Sequence, residues 1–268
     1  MDSRGNFRTP IILWVVLSIA LEAVYLITAP MLAAAGAVPV AASNVLDNSY
    51  AIMKTFTIMA IPVFVGVLTF GTYAITTFRT RGRPTENGPR ILGSTRLVAW
   101  WLVVSFVLVT VLYVIGFDGL AEIEAAAPAS AVHVHVTAQQ WIFNYTYTDY
   151  DISASTLYLP VNQPVEFTVT SLDVQHSFWI PEMGVKADAV PSQVNTFVVT
   201  PNKTGNFTVR CMELCGVLHP YMNTNVVVES PDAFAKWLSS QMSLRPTGIF
   251  AAMQLPDAAL LGDSGKRS

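Results

Sequence analysis

The chain has 268 residues, of which 52% are hydrophobic and only 12% charged, about half the charged share of roughly 25% usual in globular proteins. That balance excludes a disordered chain, a nucleic-acid binder and an ordinary soluble enzyme. The net charge of −3 is split by position: residues 1–118 carry eight Lys/Arg against five Asp/Glu, and residues 119–268 carry seven against thirteen.

The long apolar runs all lie in the basic half. Ile11–Ala35, Ala51–Phe78 and Leu97–Phe117 each approach or exceed the ~20 apolar residues that cross a bilayer as helix. Arg4 and Arg8 precede the first run, and Arg79, Arg81, Arg83, Arg90 and Arg96 separate the second from the third; Val38–Tyr50 carries only Asp47. Because Lys and Arg are retained on the cytoplasmic side, the N-terminus and the basic connector are expected inside, with the first connector and everything after Phe117 outside. This describes an integral protein of the plasma membrane with its C-terminal domain on the outer, periplasmic face. A basic start and small residues at Ala33–Ala37 also describe a cleaved signal peptide. The length of the run and the interruption at Glu22 favour a retained helix. Glu22 then reads as a neutral carboxyl packed against a partner helix rather than as a group on a proton path.

From Val132 the apolar period changes to two. Val132–Val136, Pro164–Thr170, Asn195–Val199, Asn206–Arg210 and Asn225–Glu229 read as strands. Pro160, Pro164, Pro181–Gly184, Pro191 and Pro201–Gly205 mark the turns between them, and the pattern predicts a β-sandwich. Ser230 followed by Pro231 opens a short helix as N-cap and first helical residue. The layout is therefore 1–36, an N-terminal transmembrane helix or signal peptide; 37–118, a transmembrane hairpin; 119–243, the outer domain; and 244–268, a tail without firm period.

Both cysteines lie in Cys211-Met-Glu-Leu-Cys215-Gly-Val-Leu-His219-Pro-Tyr-Met222, and His176 sits in Asp173-Val-Gln-His-Ser-Phe. Thiolate, imidazole and thioether form the ligand set of soft copper sites. A single-copper electron-transfer site needs one Cys; the second, on the same tight loop, is placed to bridge two metal ions, so the spacing points to a two-copper centre. The rival is a Cys211–Cys215 disulfide on the oxidising outer face. Closing so short a loop gains little, and it would leave the His and Met placement to chance. Zinc or an iron–sulfur cluster has no use for the Met. His133 and His135 share one strand face and read as exposed strand residues rather than a second metal site. Lys186 reads as a structural ion-pair partner.

With Gln140–Tyr150, Asp173–Phe178, Gly184–Asp188 and the Cys211–Met222 loop all present, the chain resembles subunit II of haem–copper oxidases of the cytochrome c oxidase kind, over roughly residues 50–240. The resemblance implies a membrane-anchored all-β protein, with a cupredoxin-like Greek-key β-sandwich preceded by a two-helix hairpin and one extra helix. It implies a binuclear CuA centre: Cys211 and Cys215 bridging both coppers, His176 and Met222 completing one, and His219 with the backbone carbonyl of Glu213 the other. It further implies that the Glu213 side chain reaches a magnesium ion at the contact with subunit I, with Asp188 in the outer shell, and that electrons enter at Trp141. From spacing alone, Trp141 would instead be one aromatic of a strand cluster with Phe143, Tyr145 and Tyr147.

On this resemblance, the chain accepts single electrons from a soluble donor and passes them to haem in subunit I, where oxygen is reduced to water. The acidic outer half suits a basic cytochrome c through electrostatic steering. Its sparse charge, 20 of 150 residues, leaves a small copper protein as the other donor class. The alternatives are the same role in a nitric oxide reductase, or a membrane-tethered copper-binding module. Three features depart from the family: the third apolar run opens Gly93-Ser-Thr-Arg without the usual carboxylate, with Glu86 back in the connector; an additional helix occupies the N-terminus; and no Cys-x-x-Cys-His is present for a fused haem.

Overall fold

In the computed structural model, residues 8–79, 93–123 and 126–244 are described. Arg4, the connector arginines Arg81, Arg83 and Arg90 with Glu86, and the tail from 245 onward lie outside the described residues.

Three helices open the chain: α1 (Arg8–Ala34), α2 (Asn44–Thr77) and α3 (Thr95–Ile123). All three are long and apolar enough to cross a bilayer, and most of their large apolar side chains face outward, as lipid or partner helices require. α1 packs against α2 rather than running free. The Trp14 indole donates to the Pro62 carbonyl at 2.7 Å, and Gly66 leaves the notch for it, since a Cβ there would stand 3.1 Å from the indole nitrogen. α3 has no acid in its first turn; the Ser94 hydroxyl accepts from Leu97 N at 3.4 Å instead.

α2 begins seven residues before the apolar run that predicts it, and the reason is tertiary. Its polar first turns dock on the outer domain. Ser43 caps the helix by accepting from Leu46 N at 3.2 Å, and the same hydroxyl donates to the Met183 carbonyl at 2.6 Å. Asn44 N–H donates to Thr200 O while its side chain accepts from Thr200 N at 2.9 Å. Gly184 has φ +65°, and a Cβ there would fall 2.9 Å from Leu46. A helix end whose orphan N–H groups are satisfied by side chain and neighbour can stay ordered beyond the membrane-spanning run.

The outer domain is a sandwich of two five-stranded sheets. One orders β3 (Ile152–Ala154), β2 (Ile142–Tyr147), β1 (Val132–Gln139), β5 (Val165–Ser171) and β8 (Asn195–Val199). The other orders β4 (Leu157–Pro160), β10 (Asn223–Glu229), β9 (Gly205–Cys211), β6 (His176–Ile180) and β7 (Val185–Ala189). β1 runs parallel to β5 and β4 parallel to β10, with the other pairs antiparallel. This is the cupredoxin-like Greek-key sandwich. The period-two pattern of β1 sends Val132, Val134, Val136 and Ala138 inward, where they meet Phe143, Phe167 and Phe178, all fully buried. α4 (Pro231–Ser243) starts as the sequence predicts, with the Ser230 hydroxyl accepting from Ala233 N. It closes one end by stacking Trp237 on Tyr158 at 4.5 Å.

Five strands have no counterpart in the period-two reading: β2, β3, β4, β6 and β7. β3 and β4 are three and four residues long, too short for a period to show. β6 is buried at four of five positions, so it does not alternate.

His133 and His135 do share the outward face of β1. His133 is clasped between Asp149 (2.9 Å) and Glu166 (3.4 Å), and His135 Nδ1 lies 2.9 Å from the Thr168 hydroxyl. Burial lowers the His135 pKa. The fold therefore favours its neutral form, so its contribution to stability is fully present above an unfolded value of about 6.5 and is lost as pH falls below that value toward the folded one. Denaturation midpoints measured from pH 7 down to 5 should fall less steeply for His135→Gln than for the parent chain.

Candidate metal centre

The two ends of the sandwich have different contents. At one end, β6 runs out through the Pro181–Met183 turn onto the α2 cap. At the other, β6 begins with His176 and β9 ends with Cys211, and the 212–222 loop folds back to β10. The ladder holds this end in register: Phe178 pairs with Cys211, Met212 N donates to Ser177 O, and Cys211 N donates to Met222 O.

Around this frame the six expected donor groups converge. Cys211 Sγ and Cys215 Sγ lie 3.7 Å apart, both cysteines being unbonded. Cys211 Sγ is 3.8 Å from His176 Nδ1 and 3.3 Å from the Glu213 carbonyl oxygen. Cys215 Sγ is 3.6 Å from His219 Nδ1 and 3.7 Å from Met222 Sδ. Among the described residues, one group of His, Cys, Asp and Glu has ligand atoms all within 4.8 Å of one another, namely His176, Cys211 and Cys215, all buried. His219 stands at the edge, half-buried, beside a cavity of about 360 Å³ lined by Arg210, Met212 and Pro220.

One residue within the quoted motifs has a role the spacing did not assign. Asp173 Oδ1 accepts from His176 Nε2 at 2.9 Å, which fixes the tautomer and leaves Nδ1 unprotonated toward the sulfurs. Burial opposes the Asp173 charge, but the backbone N–H of Gln140, the His176 ring and Val174 N–H outweigh it and hold the pKa at about 2. An Asp three residues before a ligand His was the available signal. Asp173→Asn keeps the shape and weakens the orientation, so metal affinity should fall about 10–100-fold, as read by competition with a chelator.

The other thiol behaves as a buried sulfur should. Burial first, and then the adjacent Cys211, push Cys215 up to about 12. Without metal it is a neutral thiol, so metal capture must release its proton.

Trp141 is half-buried at the same end. Gln140 N donates to Asp173 at 2.7 Å and Gln140 Nε2 to the Cys215 carbonyl at 2.7 Å. Gly216, with φ +124°, lets the indole lie flush on the loop, because a Cβ there would fall 3.3 Å from the ring and 3.0 Å from Gln140 Nε2. Phe143, Tyr145 and Tyr147 are fully buried in the core, and half-buried Trp141 packs against that same cluster, as its spacing gives, while also lying on the metal loop. Lys186 pairs with Asp188 at 3.3 Å as expected. The Asp188 carboxyl is held below its ordinary range by the Ser177 hydroxyl and, against partial burial, by Lys186. Glu213 and Asp188 do not enter the three-membered ligand group.

Residues 152–230 match the family described as the cytochrome c oxidase subunit II periplasmic domain. The match runs from β3 to the end of β10 in the outer domain. The chain is 33% identical over 140 residues to cytochrome c oxidase subunit 2 of Thermostichus vulcanus, covering 52% of this chain and 42% of that protein. It is 29% identical over 212 residues to the alternative cytochrome c oxidase subunit 2 of Bradyrhizobium diazoefficiens, covering 67% of this chain and 75% of that one. It therefore spans less than half the length of the first of these relatives. The crystal structure of the periplasmic domain of subunit II of cytochrome oxidase from Bradyrhizobium japonicum aligns at 29% identity over 44% of this chain and 98% of that one, with a TM-score of 0.42. The similarity to the subunit II periplasmic domain and the buried His–Cys cluster together support copper as the metal, because two thiolates, imidazole and thioether suit it better than a harder ion.

Proposed function

We propose that this chain is the electron-accepting subunit of a terminal haem–copper oxidase. It carries a binuclear CuA centre and passes single electrons from a soluble outer donor to haem in subunit I, where oxygen is reduced to water. The observation that supports this most is the facing pair of sulfurs, with Nδ1 of His176 and His219, Sδ of Met222 and the Glu213 carbonyl all 3.3–3.8 Å from one or the other. Bound copper would supply a one-electron store shared between two metals.

The rest is the work of this chain. Cys211 and Cys215 would bridge, His176 with Met222 would complete one copper, and His219 with Glu213 O the other. Asp173 holds the His176 ring, and the β6–β9 ladder holds His176 and Cys211 at the same end of the sheet. Trp141, laid against Gly216, is where the electron would arrive, and Gln140 ties it to the Cys215 carbonyl. The Glu213 carboxylate, with Asp188 behind it, is proposed to meet a magnesium ion where subunit I docks. The donor is a cytochrome c or a small copper protein. The helices of 1–36 and 37–118 anchor the domain of 119–243 on the outer face of the plasma membrane.

Copper analysis and electron paramagnetic resonance of the purified full chain test this. Two coppers per chain sharing one unpaired electron are expected. One copper with a single-site signal would reduce the protein to a tethered copper-binding module, and a metal-free Cys211–Cys215 disulfide would overturn the reading.

A further inference from the structure

A second group of metal-ligating side chains stands on the outward face of the β2–β1–β5 sheet. By spacing alone His133 and His135 are exposed strand residues, but the fold brings two carboxylates to them. β1 pairs in parallel with β5, which sets His133 opposite Glu166 and His135 opposite Thr168. Neighbouring strands lie about 4.8 Å apart, and residues i and i+2 about 6.6 Å apart along a strand. Two imidazoles and a carboxylate therefore share one small patch, all at partly exposed positions of their strands. From His133 to Gln139, at the end of β1 that carries the cysteine loop, is roughly 20 Å. The patch is thus independent of the copper reading.

The two rings are held alike. His133 Nδ1 lies 3.0 and 2.9 Å from the two Asp149 carboxylate oxygens, and the His133 backbone N–H donates to Asp149 Oδ2 at 3.1 Å. His135 Nδ1 lies 2.9 Å from the Thr168 hydroxyl. In both rings Nδ1 is engaged, and no hydrogen bond among the described residues uses Nε2. Ligand histidines are oriented this way, one ring nitrogen bonded to a carboxylate or other polar group and the other left for the metal.

His133 Nε2 lies 3.4 Å from Glu166 Oε2. That is longer than an ordinary N–H···O hydrogen bond of about 2.7–3.2 Å. It matches two ligands of one tetrahedral zinc ion, which bonds of about 2.0–2.2 Å place roughly 3.3–3.6 Å apart. Neighbouring ligands of a square-planar copper(II) ion would stand only about 2.8 Å apart. Charge agrees with a missing cation. Among the described residues neither Asp149 nor Glu166 pairs with a Lys or Arg, and the two acids share one histidine.

We propose that His133, His135 and Glu166 form a zinc site, with both Nε2 atoms and one Glu166 oxygen as ligands and water in the fourth place. Asp149 is the positioning residue for the His133 ring. His133 and Glu166 already stand at ligand spacing, and His135, one strand repeat further on, closes the set. Zinc there cross-links β1 to β5 where the chain enters the sandwich after α3.

The test is calorimetric titration with zinc chloride of two full-length proteins: the copper-loaded parent, and the Cys211→Ser/Cys215→Ser variant, whose loop offers zinc no thiolate. One zinc per chain is expected on the strand face in both. Absorption spectroscopy at the zinc edge should show nitrogen and oxygen at about 2.0–2.2 Å and no sulfur at about 2.3 Å. Asp149→Asn should weaken zinc binding about 10–100-fold. His133→Gln and Glu166→Gln, which remove ligands, should each weaken it about 100-fold or more, with copper content unchanged. The thermal midpoint should rise with zinc in the parent and stay put in Glu166→Gln, which separates lost binding from lost folding. The proposal is overturned if neither protein takes up zinc, if sulfur appears around the zinc of the copper-loaded parent, or if the His133 and Glu166 variants bind zinc like the parent.

Discussion

Cys215→Ser is expected to cost the chain its shared metal bridge, lowering copper from two atoms per chain to one or none and slowing reduction from outside about 100-fold or more. Cys215 stands at the crossing of the cluster, with the Cys211 sulfur, the His219 ring and the Met222 thioether each 3.6–3.7 Å away. A serine hydroxyl is neutral, harder and does not bridge copper ions as a thiolate does. Metal analysis and the paramagnetic resonance signal of the variant check this; two retained coppers with an unchanged signal would remove Cys215 from the centre. Leu218→Ala, on the same loop at a residue that is 44% exposed and supplies none of the expected donor atoms, should leave copper content unchanged and so separates loss of a ligand from loss of the loop.

The second large effect is expected at Phe178. The residue is fully buried and meets the rings of Phe167 at 5.5 Å, Phe143 at 5.9 Å, Tyr145 at 6.3 Å and Phe197 at 6.4 Å. It thus joins the two sheets at the level of the metal, two residues after His176 and opposite Cys211. Phe178→Ala removes the aromatic contacts and leaves a cavity that the flanking strands close only in part. The expected cost is about 3–5 kcal/mol, equivalent to roughly 10–20 °C in the midpoint for a domain of this size. Differential scanning calorimetry of the metal-free full chain measures it. A loss below about 1 kcal/mol would mean that the site can collapse around the vacancy and that this ring does not brace the two sheets. Because β6 and β9 pair at this residue, metal affinity should fall together with stability, whereas Asp173→Asn should lower affinity with a smaller stability change.

The legible parts of the sequence were those governed by local, repeating physics. Apolar runs of bilayer length identify α1, α2 and α3 without reference to anything else. Five strands follow from alternation, because each has one face on the core. The Ser230–Pro231 start of α4 follows from capping chemistry. The cysteine loop is legible for a similar reason, since Cys211, Cys215, His219 and Met222 lie within twelve residues and their chemistry is recognisable before any fold is known.

What the tertiary structure alone decided involves residues far apart in the chain. His176 reaches Cys211 across 35 residues because β6 and β9 are hydrogen-bonded neighbours, an adjacency that no local pattern encodes. Its ring is aimed by Asp173, which takes that role only because Gln140 N–H and Val174 N–H hold the carboxylate in place. Gln140 reaches the Cys215 carbonyl across 75 residues, bringing Trp141 onto the metal loop as well as against the aromatic core that its spacing gives. The polar start of α2 is helical only because Met183 and Thr200 supply partners for Ser43 and Asn44. Net charge behaves the same way. Composition shows that the outer half is acidic, but only the fold shows that Asp173 stands beside Trp141, held by Gln140 N–H and the His176 ring, because charge is summed along the chain while its effect on a partner depends on where each group sits in space.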